Sequence, residues 1–169
     1  MRLWLRTCRG LRRAIGNGQL DRLQIRYTAG LIQLKYPVKP KTILLCDYGA
    51  GGFQEPEMVK KRPAVVIMGA LPGRPNLHTV VPLSGSESDN RRIYQCKITL
   101  ASPLPDPFPQ SVWWVKADMI ATVGLARLDL FRTERDQYGK RRYLTSLRVS
   151  DEQFSLIQEA IRNALGLEG

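Results

Sequence analysis

The sequence predicts a mainly β chain, a small β-barrel with one amphipathic helix packed on it at the C-terminal end. Three observations predict this. Short apolar runs recur between residues 42 and 147, each bounded by Gly, Pro, Asn or charged residues. A capped, evenly spaced helical pattern begins only at Ser150. At 169 residues the chain can bury one proper core, so one domain is the default.

The chain opens with residues 1–39, read as a basic N-terminal extension ahead of a folded domain over 40–169. Residues 1–41 hold ten Lys/Arg against one acid, Asp21. That segment carries +9 of the net +11, so the body is close to neutral, and the pI describes the arm more than the domain. The first 20 residues place five arginines among Leu3, Trp4, Leu5, Leu11 and Ile15. Three readings are open: a helical arm that adds affinity for nucleic acid, a targeting peptide, or a loosely held extension, preferred because termini are commonly loose. No apolar run approaches the ~20 residues of a membrane span, so no membrane partner is expected.

From Pro40 the pattern changes. Residues 42–48 read as a strand and Gly49-Ala50-Gly51-Gly52 as a flexible loop. Residues 63–68, 78–83, 93–100 and 112–115 read as further strands, with another apolar segment at 119–123. Pro103, Pro105, Pro107 and Pro109 make 102–110 a stiff non-helical loop. Tyr138-Gly139-Lys140 reads as a hairpin turn leading into 142–147. Ser150 with Gln153 forms a capping box. Phe154, Ile157, Ile161, Ala164 and Leu165 share one helical face, and Gly166 ends the helix.

The residue inventory narrows the chemistry. The single histidine, His78, excludes a two-histidine acid/base ribonuclease and reads as an ordinary, partly exposed strand residue. Cys8, Cys46 and Cys96 show no metal-ligand spacing, so zinc is not expected, and free thiols in apolar runs fit a reducing compartment. No G-x-S-x-G elbow or phosphate loop occurs. No cofactor is called for.

What remains is a polar pair at strand ends, Arg62 and Ser84. A basic turn delivers Arg62 to the mouth of a strand, and Pro63 fixes the backbone behind it. A guanidinium so placed suits an anion, and phosphate is the obvious one. Ser84 closes the run Val80-Val81-Pro82-Leu83; by spacing alone it is equally an ordinary turn residue. Glu57 and Asp47 are candidates to pair with Arg62 and hold its fork. Lys60, Lys61, Ser86, Arg91 and Arg92 lie near the two strand ends and are candidate backbone contacts for a nucleic acid, or else a solvated basic face. Trp113, Trp114 and Tyr94 are candidates to stack on bases, with at least one tryptophan expected in a core or subunit interface.

Residues 40–167 resemble the PemK/MazF family of bacterial toxins, the toxin halves of type II toxin–antitoxin pairs. Several pieces in order carry the resemblance: the strand 42–48 ending in Asp47-Tyr48, Glu57 followed by Arg62-Pro63-Ala64-Val65-Val66-Ile67, Val81-Pro82-Leu83-Ser84, Trp114-Val115-Lys116-Ala117-Asp118, and the terminal helix. Serine at 84 departs from the commoner threonine, Gln54-Glu55-Pro56-Glu57-Met58 departs from the usual approach to the acid, and residues 1–39 match nothing in the family core.

The resemblance implies an SH3-like β-barrel, a homodimer, and a bacterial cytoplasmic setting. It implies a metal-independent endoribonuclease that cuts single-stranded RNA. Arg62 and Ser84 match the family positions at the scissile phosphate, with Glu57 and Asp47 as supporting acids. It also implies an acidic cognate antitoxin, with operator DNA reached only through the antitoxin complex. The expected reaction is attack by a ribose 2′-hydroxyl, leaving a 2′,3′-cyclic phosphate and a 5′-hydroxyl. Two alternatives stay open: a binder of the gyrase-inhibitor (CcdB) kind on the same barrel, and a member that only binds antitoxin or operator.

Overall fold

The computed structural model describes residues 25–28, 31–34, 37–87 and 92–167. The basic segment 1–20 and Arg91 lie outside these residues. The described elements are β1 (Ile25–Thr28), β2 (Leu31–Leu34), β3 (Ile43–Asp47), β4 (Lys61–Met68), β5 (Leu77–Ser84), β6 (Gln95–Thr99), β7 (Val112–Lys116), β8 (Ala121–Gly124), β9 (Leu128–Asp129), β10 (Phe131–Arg135), β11 (Arg141–Leu144) and α1 (Asp151–Leu165). Single 3-10 turns sit at 49–51, 117–119 and 125–127. Among the described residues no helix is long and apolar enough to cross a membrane.

One antiparallel sheet organises the domain, in the order β6-β7-β5-β4-β3-β9, with β8 also paired to β5. Strand β5 is the hinge of the architecture. Leu77–Val80 pair with β8, and Leu83 and Ser84 pair with β7, so two strands follow one another along β5. A register shift between Val66 and Met68 adds a residue to β4 against β5, and such bulges increase local twist. The sheet curls into a half-barrel, the mainly β architecture expected from the sequence. Two separate hairpins, β1–β2 and β10–β11, flank it.

Strands β3, β4 and β5 are covered on both faces, which is why they read as unbroken apolar runs. On one face Ile43, Val65, Val81, Leu83, Ile98, Trp113 and Val115 pack against Phe154, Ile157, Ala160 and Ile161 of α1. On the other, Leu44, Cys46, Tyr48, Ala64, Val66 and Val80 pack against Val123, Leu125, Leu128 and Leu130. Leu34 and Val38 join this second cluster. The helix forms as its sequence dictates. The Ser150 hydroxyl accepts from Gln153 N at 3.2 Å, the Gln153 side chain accepts from Ser150 N at 3.1 Å, and Gly166 closes the helix at φ 65°. Burial pushes the thiols of Cys46 and Cys96 up to about 11, so both act as small protonated hydrophobes.

His78 corrects an expectation. It is fully buried rather than partly exposed, because it falls on the β5 face that the 37–38 segment covers. Its Nε2 accepts a hydrogen bond from Val38 N at 2.9 Å, which puts the ring proton on Nδ1, an atom with no partner among the described residues. Burial lowers its pKa from the ordinary histidine range, so it is neutral in the fold. The unfolded chain then binds more protons than the native one as pH falls below ~6.5, and stability drops from there until the folded pKa is passed. Urea midpoints of the parent should therefore decline on acidification from pH 7 to 5. His78→Gln should be less stable at pH 7 and decline less over the same window. Equal slopes for the two proteins would refute the assignment.

Candidate active site

The site is assembled by register. In β3–β4, Cys46 faces Arg62, and in β4–β5, Ala64 faces Pro82. The β4–β5 ladder ends there; Arg62 and Ser84 each lie two residues beyond that last pair, on the same face of adjacent strands. Ser84 in turn pairs with Trp114, and Trp114 with Lys97. Alternation puts Arg62 on the Ala64 face, away from α1, and Trp114 on the face opposite Trp113 and Val115. Ser84, Trp114 and Lys97 thus form one row across three strands, and Arg62 lies on the same face of β4.

Arg62 is half-buried and lines an open groove of about 570 Å³ with Glu55, Pro56, Glu57, Met58, Val59 and Lys60. Its Nε is buried and has no hydrogen-bond partner among the described residues. Among the described residues no carboxylate forms an ion pair with it. A buried charged donor left unmatched is costly.

The expected pairing of Arg62 with Glu57 or Asp47 is not made. Both acids are held by backbone amides of their own loops. Glu57 Oε2 accepts from Gln54 N at 2.8 Å, and Glu57 N donates to Gln54 O at 2.7 Å, closing the turn that forms the groove wall. Asp47 Oδ1 accepts from Ala50 N at 2.9 Å. Glu57 still lines the groove; Asp47 shapes the neighbouring loop.

The remaining candidates divide. Lys60 is exposed in the groove beside Arg62. Lys61 leaves β4 on the other face and bonds Asp129 at 3.4 Å. Ser86 donates its N–H to Ser84 Oγ at 3.3 Å, which uses the oxygen as acceptor and leaves the hydroxyl proton available. Arg92 lies over the Tyr94 ring at 5.6 Å and donates to its hydroxyl, so one face of Tyr94 is already occupied. Trp113 is the core tryptophan, 2% exposed.

Sequence reasoning missed Arg127. It donates from Nε to Asp47 O at 2.9 Å and from a terminal nitrogen to Tyr48 O at 2.6 Å, and its guanidinium lies 4.7 Å from the Phe53 ring centre. It clamps the loop that follows β3. Gly49 in that loop approaches the groove wall closely: a Cβ there would come 2.7 Å from the Val59 carbonyl oxygen. Gly49→Ala is expected to destabilise by about 1–3 kcal/mol, the usual cost of overpacking, and to shift the wall. A thermal melt matching the parent's would show that the two loops are independent.

A model of the family described as PemK-like, MazF-like toxin of type II toxin–antitoxin systems matches residues 39–165. An uncharacterized Escherichia coli (strain K12) protein, YifN, is 33% identical over 103 residues, 59% of this chain and 67% of its own. Among solved structures, an endoribonuclease in complex with its cognate antitoxin from a mycobacterial species superposes with a TM-score of 0.51 at 19% identity, covering 77% of this chain and 96% of that one. The Mycobacterium tuberculosis toxin MazF-mt6 gives a TM-score of 0.49 at 16% identity, over 78% of this chain and 100% of its own. With the family model spanning the sheet, the groove and the helix, the chain belongs to the PemK-like, MazF-like toxins of type II toxin–antitoxin systems.

Proposed function

We propose that this toxin is an endoribonuclease that cuts single-stranded RNA without a metal, and that Arg62 and Ser84 carry the reaction. The substrate's 2′-oxygen attacks the adjacent phosphorus, the bond to the 5′-oxygen breaks, and the leaving oxygen takes up a proton. The products are a 2′,3′-cyclic phosphate and a 5′-hydroxyl. The nucleophile belongs to the RNA, so the protein must align it and stabilise charge on the phosphorane. Arg62 lining an open groove beside Lys60, with no ion-pair partner among the described residues, is the observation that carries the reading. A guanidinium stays charged (its pKa is above ~12), so Arg62 supplies charge-assisted hydrogen bonds rather than a base. Ser84, its acceptor role taken by Ser86 N, donates a further hydrogen bond to a phosphate oxygen. Proton transfer from the 2′-hydroxyl runs through substrate or water, with Glu57 on the groove wall as a supporting acid.

The natural partner is an acidic antitoxin segment that covers Lys60 and Arg62. The active form is a homodimer, and operator DNA is reached only through the antitoxin complex. The decisive experiment incubates the full chain with a long RNA in excess EDTA. Cleavage leaving 2′,3′-cyclic phosphate termini is expected. Intact RNA under these conditions would overturn the reading, and a trapped topoisomerase would point instead to a gyrase-directed binder.

A further inference from the structure

Trp114 stands apart from the other large side chains of the sheet. It is half-buried on β7, yet it belongs to neither apolar cluster, and among the described residues its ring meets no other ring. Its neighbours Trp113 and Val115 both turn into the α1 cluster, so the indole turns to the face that carries Arg62 and Ser84. The ladder places it directly beside Ser84 and directly beside Lys97, whose side chain is exposed. Each step is one strand spacing of roughly 5 Å. A hydroxyl, an indole and a cation therefore follow one another across β5, β7 and β6, with the Arg62 cation on the same face of β4.

We propose that the Trp114 indole is the stacking platform for the base next to the broken linkage, and that Lys97 contacts the backbone phosphate beyond it. The RNA then runs across the strands, from the groove at Arg62 toward the β6 edge. This inference rests on the endoribonuclease reading for its substrate but adds the direction of the strand and a residue that holds a base. The chemistry matches the ligand. An indole face accepts any nucleobase, whereas Lys97 and Arg62 meet the backbone charge on either side. An acidic peptide would use the two cations and leave the indole without a planar partner.

The test uses the full chain and a fluorescein-labelled 2′-O-methyl oligoribonucleotide of mixed sequence, which cannot be cut by 2′-oxygen attack. Stacking contributions of ~1–3 kcal/mol per base correspond to a roughly 5- to 150-fold change in affinity. Trp114→Ala should weaken binding within that range, and Trp114→Phe should restore most of it. The difference between Trp114→Ala and the parent should vanish on an oligomer of the same backbone lacking bases. Lys97→Gln should reduce the salt slope of binding by about 0.7, the share of one phosphate contact on a single strand.

Parent-like binding by Trp114→Ala would overturn the proposal. So would equal losses on the base-free oligomer, or a loss that accompanies dissociation of a dimer, which would make the indole a subunit contact. Cleavage of long RNA by the parent in EDTA is read separately. Parent-like binding by Trp114→Ala with parental cleavage present ends only this inference, whereas absent cleavage with a base-dependent Trp114 effect ends only the nuclease reading.

Discussion

Arg62→Ala should cut RNA about 10²–10³-fold more slowly than the parent, the usual cost of removing one preorganised donor to transition-state charge. The fold should survive the change. Among the described residues Arg62 makes no ion pair and its buried Nε donates to nothing. Removing an unmatched buried donor relieves a penalty of about 1–3 kcal/mol, against which stands the lost packing of the side-chain stem along the groove wall. The melting temperature should therefore move little in either direction. Arg62→Lys should recover only a small part of the rate, because a point charge cannot grip two non-bridging oxygens as a planar fork does. Single-turnover cleavage of a long RNA in EDTA, paired with a thermal melt, measures both. A well-folded Arg62→Ala protein that cuts at the parental rate would remove Arg62 from the mechanism.

Why Arg62 is legible in the sequence, and Lys97 is not, is a matter of range. The Arg62-Pro63 junction, the apolar run behind it and the capping box at Ser150 are local patterns. Each states its conformation within a few residues, and the strands β4 and β5 and the helix α1 form where those patterns lie. The acids show the limit of such reasoning. Glu57 and Asp47 are near Arg62 in the chain and opposite in charge, yet nearby backbone amides satisfy both, since a turn three residues long closes at less entropic cost than a reach across the groove.

His78 escapes local reading for a related reason. The alternation of β5 is legible, but its cover comes from Val38, forty residues earlier, in a stretch whose charge suggests a loose arm. The clamp at Arg127 spans about eighty residues and leaves no trace in local spacing. Strands β9 and β10 are short and mixed in polarity, so they gain their pairing from the sheet and hairpin rather than from their own pattern. The face shared by Arg62, Ser84, Trp114 and Lys97 emerges only after three ladders have been registered, and each of those registers is set by apolar faces elsewhere on the strands.

Trp113→Ala should destabilise the fold more than Arg62→Ala, Gly49→Ala or Trp114→Ala, although its neighbour Trp114 is the same residue type. Strand alternation gives the two indoles opposite fates. Trp113 is 2% exposed, tilts against Phe108 at 6.2 Å between ring centres, and donates Nε1 to Gln110 O at 3.1 Å. Truncating a buried tryptophan costs about 3–5 kcal/mol through lost burial and the cavity left behind. At ~2–4 °C per kcal/mol for a domain of this size, the melting temperature should fall by roughly 6–20 °C. The loss should also reach the site. Gln110 closes the proline loop and its side chain fills the space at Gly85, next to Ser84. Releasing Gln110 O from the indole therefore loosens the turn that orients the Ser84 hydroxyl. Trp114→Ala should shift the melt by far less, since its ring packs in neither cluster. Side-by-side thermal melts decide the matter. Equal shifts for the two variants would mean that Trp114 is held in a packed contact, and that the faces of β7 are not divided between core and substrate as the ladder implies.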